Sequence, residues 1–377
     1  MVIGIPKEVK TDEYRVGITP LNVKLLIKED NKVIIQSSAG EGSGFSDEDY
    51  IKAGAQIVLS AEELYKKADL IVKVKEPQPS EYSLLNEKHT LFCYLHLAPL
   101  RELTSVLIEK NLCAIAYETV AVNNSLPLLK PMSEIAGKMS SIVGAYHLSR
   151  YQGGEGVLIG GAEGVPCANI TVIGAGNAGF NAAKTAYGMG GNVTVINKTA
   201  PKLEKLKETL PHVRTALYSK DTLEEHLRES DIVISSVLIH GGASAPKLIS
   251  RDMLKSMKKG AVFVDIAIDQ GGSAETSKPT THTDPVFIEE GILHYCVANM
   301  PGAYPKSASA ALSNATMPYI LELANRGIVK SIRENSSLAS GVNVYKGHVT
   351  NEAVAKVHDL EFKNIESSLA ERDNENE

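Results

Sequence analysis

The four cysteines, Cys93, Cys113, Cys167 and Cys296, lie far apart, and no Cys-x-x-Cys pair occurs. That spacing offers neither a zinc motif nor a redox pair, so the thiols read as reduced, structural residues among apolar neighbours. No apolar run approaches the ~20 residues needed to cross a bilayer. The opening segment, MVIGIPKEVK, is strand-like and lacks a charged leader with an apolar signal core. Both absences predict a cytoplasmic protein without a membrane partner. The net charge of -6 comes from interspersed acids and bases, with no basic block, so nothing supports a nucleic-acid partner. The expected ligand is small.

What the chain does have is enough length for two cores: 377 residues, 43% hydrophobic and 22% charged, at about 100–200 residues per domain. Strand-like runs (VIGIP, KVIIQS, ADLIVKVK, LFCYLHL, LCAIAYETV) alternate with helical ones (TPLNVKLLIKED, SAEELYKKA, PLRELTSVLIEK), the pattern of a parallel sheet covered by helices. After Pro127 and Pro131, Ile135, Met139, Ile142 and Tyr146 recur at helical spacing and predict one apolar stripe on a bridging helix. A second series begins at Ile170, with ITVIGAG, VTVINK, DIVISSVL, AVFVDIAI and LHYCVAN as strands. The segment from about Lys306 is helical by pattern and has too few strands for a third domain. The expectation is two doubly wound, Rossmann-like α/β domains with a cleft between them: 1–130 plus 306–377, with the carboxyl-terminal helices packing on the first domain, and 131–305.

Gly174-Ala175-Gly176-Asn177-Ala178-Gly179 stands between the apolar run ITVI and a helix expected to start near Phe180. The first glycine permits a tight turn, the second admits a pyrophosphate close to the backbone, and the third lets helix and strand pack closely. The next strand, VTVIN, ends at Asn197, roughly twenty residues on, where a ribose-binding residue belongs. Asp265 and Asp269 are four apart in VFVDIAIDQGG; on one strand they would share a face, and Asp269 would be nearer the carboxyl edge where ligands bind. A turn-capping aspartate is the alternative. Lys75 and His96 sit near the carboxyl ends of strand-like runs, and each reads either as a cleft residue or as a strand terminus and a core histidine, respectively. Arg15, in TDEYRVGITP, reads alone as a surface residue.

Together, EVKTDEYRVGITP, LIVKVKEP, LHLA, MSEIAGKMS, IGAGNAG, VDIAIDQGG and CVANMPG, in this order, resemble the alanine dehydrogenase family over nearly the whole chain. The nicotinamide-binding subunit of proton-translocating transhydrogenase and, more distantly, saccharopine dehydrogenase share the two-domain plan. Lys75, His96 and Asp269 favour alanine dehydrogenase. The resemblance implies reversible, NAD-dependent oxidative deamination of L-alanine to pyruvate and ammonium, by a homo-oligomer, a hexamer. It implies that Arg15 and Lys75 hold the substrate carboxylate, that His96 is the acid-base group and that Asp269 assists beside the nicotinamide. Hydride leaves Cα, water attacks the resulting iminium, and the carbinolamine collapses. A histidine suits these proton transfers because its ordinary pKa of ~6.5 lies near working pH.

For the cofactor, the resemblance adds Ser133, Asn177, Ala178, Asn197, Lys202, Ser219, Leu238, Ile266, Asp269, Val297, Asn299 and Met300 to Gly174, Gly176 and Gly179. Ser133 reads equally as a helix cap, Lys202 as a solvated residue, and the apolar members as core. Asn197 departs from the family pattern, which has an acid there. A carboxylate bonds the ribose and repels a 2′-phosphate, whereas asparagine bonds without repelling, and Lys198 follows it. The expectation is NAD with measurable use of NADP.

Overall fold

The computed structural model describes residues 1–123, 125–237 and 245–375, with side chains described to residue 370. It divides into two compact units, Met1–Met132 with Tyr304–Glu377, and Ser133–Ala303. The division falls within the helix Lys130–His147.

The first unit opens with six short strands, β1 (Val2–Ile5), β2 (Lys32–Gln36), β3 (Gln56–Val58), β4 (Leu70–Val72), β5 (Thr90–Cys93) and β6 (Cys113–Ala116). The second unit supplies β7 (Asn169–Ile173), β8 (Asn192–Asn197), β9 (Arg214–Leu217), β10 (Ile232–Ser235), β11 (Val262–Asp265), β12 (Val286–Glu289) and β13 (Ile292–Tyr295). The chain then returns to the first unit for β14 (Val342–Tyr345) and β15 (His348–Val349). Strand order is β15-β14-β6-β5-β4-β1-β2-β3 in one sheet and β12-β13-β11-β10-β7-β8-β9 in the other.

Both sheets are α/β with parallel centres. The β5 and β10 strands are buried throughout, as parallel strands covered on both faces must be. The antiparallel strands lie at the edges, β12 on β13 and β14 and β15 beyond β6. The carboxyl-terminal segment therefore brings two strands as well as helices, which its helical pattern concealed.

The bridging stripe is corrected by the fold. The helix Lys130–His147 buries Ala136, Met139, Ser140 and Ser141, while Ile142 and Tyr146 are 43% and 58% exposed. Small residues set its buried face because backbone lies close by: a Cβ on Gly137 would stand 2.1 Å from the Ala178 carbonyl oxygen. Cys93, Cys113 and Cys296 are buried free thiols and Cys167 is half-buried. No helix among the described residues is long and apolar enough to cross a membrane.

Candidate active site

In the first unit, β6, β5, β4 and β1 lie side by side, and the candidate substrate residues follow their carboxyl ends. Arg15 lies in the loop after β1, Lys75 just past β4 and His96 just past β5. From β1 the chain winds out through β2 to β3, then crosses back to β4 and winds the other way. Ligand crevices in open α/β sheets form at such a reversal, outside the carboxyl ends of the strands. Here Arg15 and Lys75 flank it.

Arg15 is a core residue, 2% exposed, which overturns its surface reading. Glu13 grips the guanidinium in a bidentate pair, Nε to Oε1 at 2.6 Å and Nη2 to Oε2 at 2.5 Å, and Nη1 donates to Met132 Sδ at 3.1 Å. Burial alone would raise the Glu13 carboxyl pKa, but the hydrogen bonds and charge of Arg15 outweigh it and hold it low. The pair fixes the plane of a group suited to carboxylate recognition.

The strand expected through His96 stops at Cys93. His96 has φ 47°, uncommon for a residue with a side chain. Glu118, beyond β6, holds it there: Oε1 accepts the His96 N–H at 2.6 Å and the Leu95 N–H at 3.2 Å. The Tyr94 ring stacks on the imidazole, with centroids 5.9 Å apart and planes 13° apart. Its hydroxyl donates to the Leu128 carbonyl at 2.6 Å. Tyr94 is buried while His96 stays half-buried, so the imidazole is oriented without being sealed in.

In the second unit the same reversal occurs between β7 and β10, and the glycine loop lies there. Gly174 has φ 103°, and a Cβ on Gly179 would stand 1.9 Å from the Gly174 carbonyl oxygen. A Cβ on Gly176 would meet nothing within 4 Å. Two glycines are thus required by the protein's own packing, while the third leaves an open cradle at the amino end of the helix Asn177–Gly188. That arrangement fits a dinucleotide pyrophosphate. The helix begins at Asn177, three residues before the expected start. Ser133 lies one helical turn before Gly137, whose face packs on this loop.

Asn197 ends β8 and ties it to the loop: its Oδ1 accepts the Ala175 N–H at 3.1 Å, and its Nδ2 donates to the Thr199 carbonyl and hydroxyl, each at 3.1 Å. Lys198 is exposed, with Nζ 5.9 Å from the Tyr218 ring centroid. Ser219 caps the helix Lys220–Glu229 through its hydroxyl, and Lys202 is exposed. Val297 and Met300 are buried core members, and Ile266 is half-buried against the same core. Leu238 lies outside the described residues.

The shared strand face expected for Asp265 and Asp269 is also corrected. The β11 strand ends at Asp265, and Ile266–Gln270 is a 3-10 turn. Asp265 is fully buried and spent on structure, accepting from the Ala267 and Ser273 N–H groups and from the Ser273 and Ser277 hydroxyls. Asp269 is exposed, and its Oδ1 accepts the Asn299 N–H at 3.2 Å. That bond joins the loops after β11 and β13.

Comparison with known proteins matches residues 4–136 to the alanine dehydrogenase/PNT amino-terminal domain and residues 140–352 to the carboxyl-terminal domain of the same family. The chain belongs to the alanine dehydrogenase/PNT family. Alanine dehydrogenase 2 of Staphylococcus aureus (strain USA300) is 48% identical over 372 residues, 98% of this chain and all of that one. A solved L-alanine dehydrogenase is 44% identical with a TM-score of 0.92, covering 95% of this chain and 99% of that chain. A transhydrogenase structure from Sinorhizobium meliloti is 27% identical with a TM-score of 0.80, covering 94% and 100%.

For this alanine dehydrogenase/PNT family member, sequence reasoning missed Glu13, Tyr94 and Glu118. The last follows a buried strand in LCAIAYETV, and its position past a carboxyl end was the available signal. Nothing local paired it with His96, 22 residues away.

Proposed function

We propose that this chain is an L-alanine dehydrogenase that interconverts L-alanine and NAD with pyruvate, ammonium and NADH. The observation that carries the reading is the placement of a gripped arginine, a lysine and an oriented histidine beyond adjacent strand ends, in a chain nearly half identical to a protein named for that activity. In this reading Arg15 and Lys75 bind the substrate carboxylate, and the two charges orient Cα. The imidazole of His96, whose backbone Glu118 holds and against which the Tyr94 ring stacks, moves protons to and from the substrate nitrogen and the attacking water. Asp269 assists beside the nicotinamide. The glycine loop, Ser133, Asn197 and the loops after β11 and β13 hold the dinucleotide, which when bound supplies the hydride acceptor or donor.

Asn197 supports a finer reading. Its amide oxygen is engaged by the glycine loop and its amide nitrogen by Thr199, and it carries no charge to oppose a 2′-phosphate. NAD is the main cofactor in this reading, with measurable use of NADP. The family resemblance further supports a cytoplasmic homo-oligomer, a hexamer.

The test is substrate binding. Charged hydrogen bonds are worth about 1.5–3 kcal/mol, so Arg15→Ala and Lys75→Ala should each raise KM for pyruvate by about 10–100-fold and leave NADH affinity unchanged. Parental KM values in both would place the carboxylate site elsewhere.

A further inference from the structure

Two residues before Lys75, Lys73 belongs to a charged cluster that the proposed chemistry does not use. Lys73 is 1% exposed, Glu81 3%, Tyr65 1% and Glu8 8%. Lys73 Nζ stands 2.8 Å from Glu81 Oε1 and 3.3 Å from Glu8 Oε2. The Tyr65 hydroxyl donates to Glu81 Oε1 at 2.8 Å, and Glu81 Oε2 accepts the Gln78 N–H at 2.9 Å. Ion clusters this deep are expensive to desolvate and commonly add little net stability, so their geometry is the more informative property.

Glu8, like Glu81, gives its second oxygen to a backbone N–H, and that N–H belongs to the residue before Lys75. The β4 strand ends at Val72, and one residue further the Lys73 N–H still bonds the Phe92 carbonyl at 3.2 Å. The Val74 N–H instead bonds Glu8 Oε1, at 2.7 Å. A buried backbone N–H needs an acceptor, so Glu8 holds Val74 from its N–H side, while the Val74 carbonyl accepts the Tyr94 N–H at 3.0 Å. Lys75 is the next residue. Burial holds the pKa of the Glu8 carboxyl above its ordinary value, and the Lys73 charge and the Val74 N–H offset only part of that rise.

We infer that Glu8 is a positioning residue for substrate binding: by accepting the Val74 N–H and bracing against Lys73, it sets the backbone from which Lys75 reaches the substrate carboxylate. This inference rests on the reading of Lys75 as a carboxylate ligand. Lys73, itself held by Glu81, fixes the carboxylate of Glu8 rather than touching substrate. A small shift of Val74 moves the Lys75 ammonium off the substrate carboxylate and weakens substrate binding.

Three variants of the full chain separate positioning from bulk stability. Glu8→Met keeps the volume and removes the acceptor; it should raise KM for pyruvate about tenfold, with kcat within about threefold and NADH affinity unchanged. Glu8→Gln keeps an amide oxygen for Val74, and its KM should stay within about threefold of the parent even if its melting temperature falls. Tyr65→Phe loosens the same cluster without touching Val74, and should lower the melting temperature with KM unchanged. Equal KM increases in Glu8→Met and Glu8→Gln, or a KM increase in Tyr65→Phe as large as in Glu8→Met, would overturn the inference. If Glu8→Met does not fold, Glu8→Asp withdraws the carboxylate by one methylene and keeps its charge; a parental KM there overturns the inference as well. Lys75→Ala is the reference: a parental KM in that variant refutes the role of Lys75 itself, whereas a raised KM there beside a parental KM in Glu8→Met refutes only the role of Glu8.

Discussion

Replacing Glu118 with alanine should damage turnover more than stability. Its carboxylate accepts the N–H groups of Leu95 and His96, and bonds to a charged acceptor contribute about 1.5–3 kcal/mol each. Glu118 is half-buried, so water can replace part of what is lost, and the net destabilisation should be about 2–3 kcal/mol. For a domain of about 200 residues that lowers the melting temperature by roughly 4–12 °C. His96 then has no carboxylate holding it at φ 47°, a conformation that costs on the order of 1–3 kcal/mol, and its backbone will relax. An imidazole moved by about 1 Å should lose about 10²-fold in kcat. The assay is reductive amination of pyruvate at saturating ammonium and NADH, well below the variant's melting temperature. Glu118→Gln keeps an acceptor for the His96 N–H and should lose no more than about tenfold. A kcat within about threefold of the parent in Glu118→Ala would refute the argument that this carboxylate orients the histidine.

Three further outcomes are expected. Gly137→Ala would set a Cβ 2.1 Å from the Ala178 carbonyl; overpacking costs about 1–3 kcal/mol, and displacing the glycine-loop helix should weaken NADH binding about tenfold by fluorescence titration, whereas parental affinity would separate this helix from the cofactor site. Glu155, half-buried near the Asp231 carboxylate, has its pKa pushed up from 4.5 to about 7, chiefly by burial and then by Asp231. The folded state therefore binds an extra proton between those values, so the contribution to stability falls as pH rises from about 4.5 to 7 and is flat above. Glu155→Gln should raise the melting temperature at pH 8 and flatten that slope; an unchanged profile would remove Glu155 as its source. Asn197→Asp keeps an acceptor for Ala175 but loses the donor to Thr199 and adds a charge that opposes a 2′-phosphate; the ratio of NAD to NADP efficiencies should rise, and a constant ratio would mean that residue 197 does not read the ribose.

The fold and the glycine loop were legible because both are local signals. Apolar runs five or six residues long, alternating with helical patterns, reveal a parallel sheet, and Gly174, Gly176 and Gly179 need only their neighbours to be understood. The strands β3, β9, β12, β14 and β15, at or next to the sheet edges, were not legible, being two to four residues long and mostly interrupted by polar side chains. Asp265 and Asp269 were expected on one strand face because the ending of that strand depends on bonds from Ser273 and Ser277, several residues away. The burial of Arg15 was hidden for a different reason. An arginine beside acids is usually solvated, and the bidentate grip of Glu13 offsets the charge of this interior one. The partners that orient the candidate groups, Glu118 for His96 and Glu8 for the strand end before Lys75, come from other strand ends, and pairing them requires the strand order.

The most direct test of the whole account is reduction of NAD by the purified chain in the presence of L-alanine, without any membrane fraction, compared with His96→Ala. The account predicts reduced cofactor and pyruvate in equal amounts from the parent. It predicts turnover lower by about 10²–10⁴-fold in His96→Ala, with NADH binding retained. No alanine-dependent reduction at any pH by a parent chain that still binds NADH, or turnover within about threefold of the parent in His96→Ala, would contradict it.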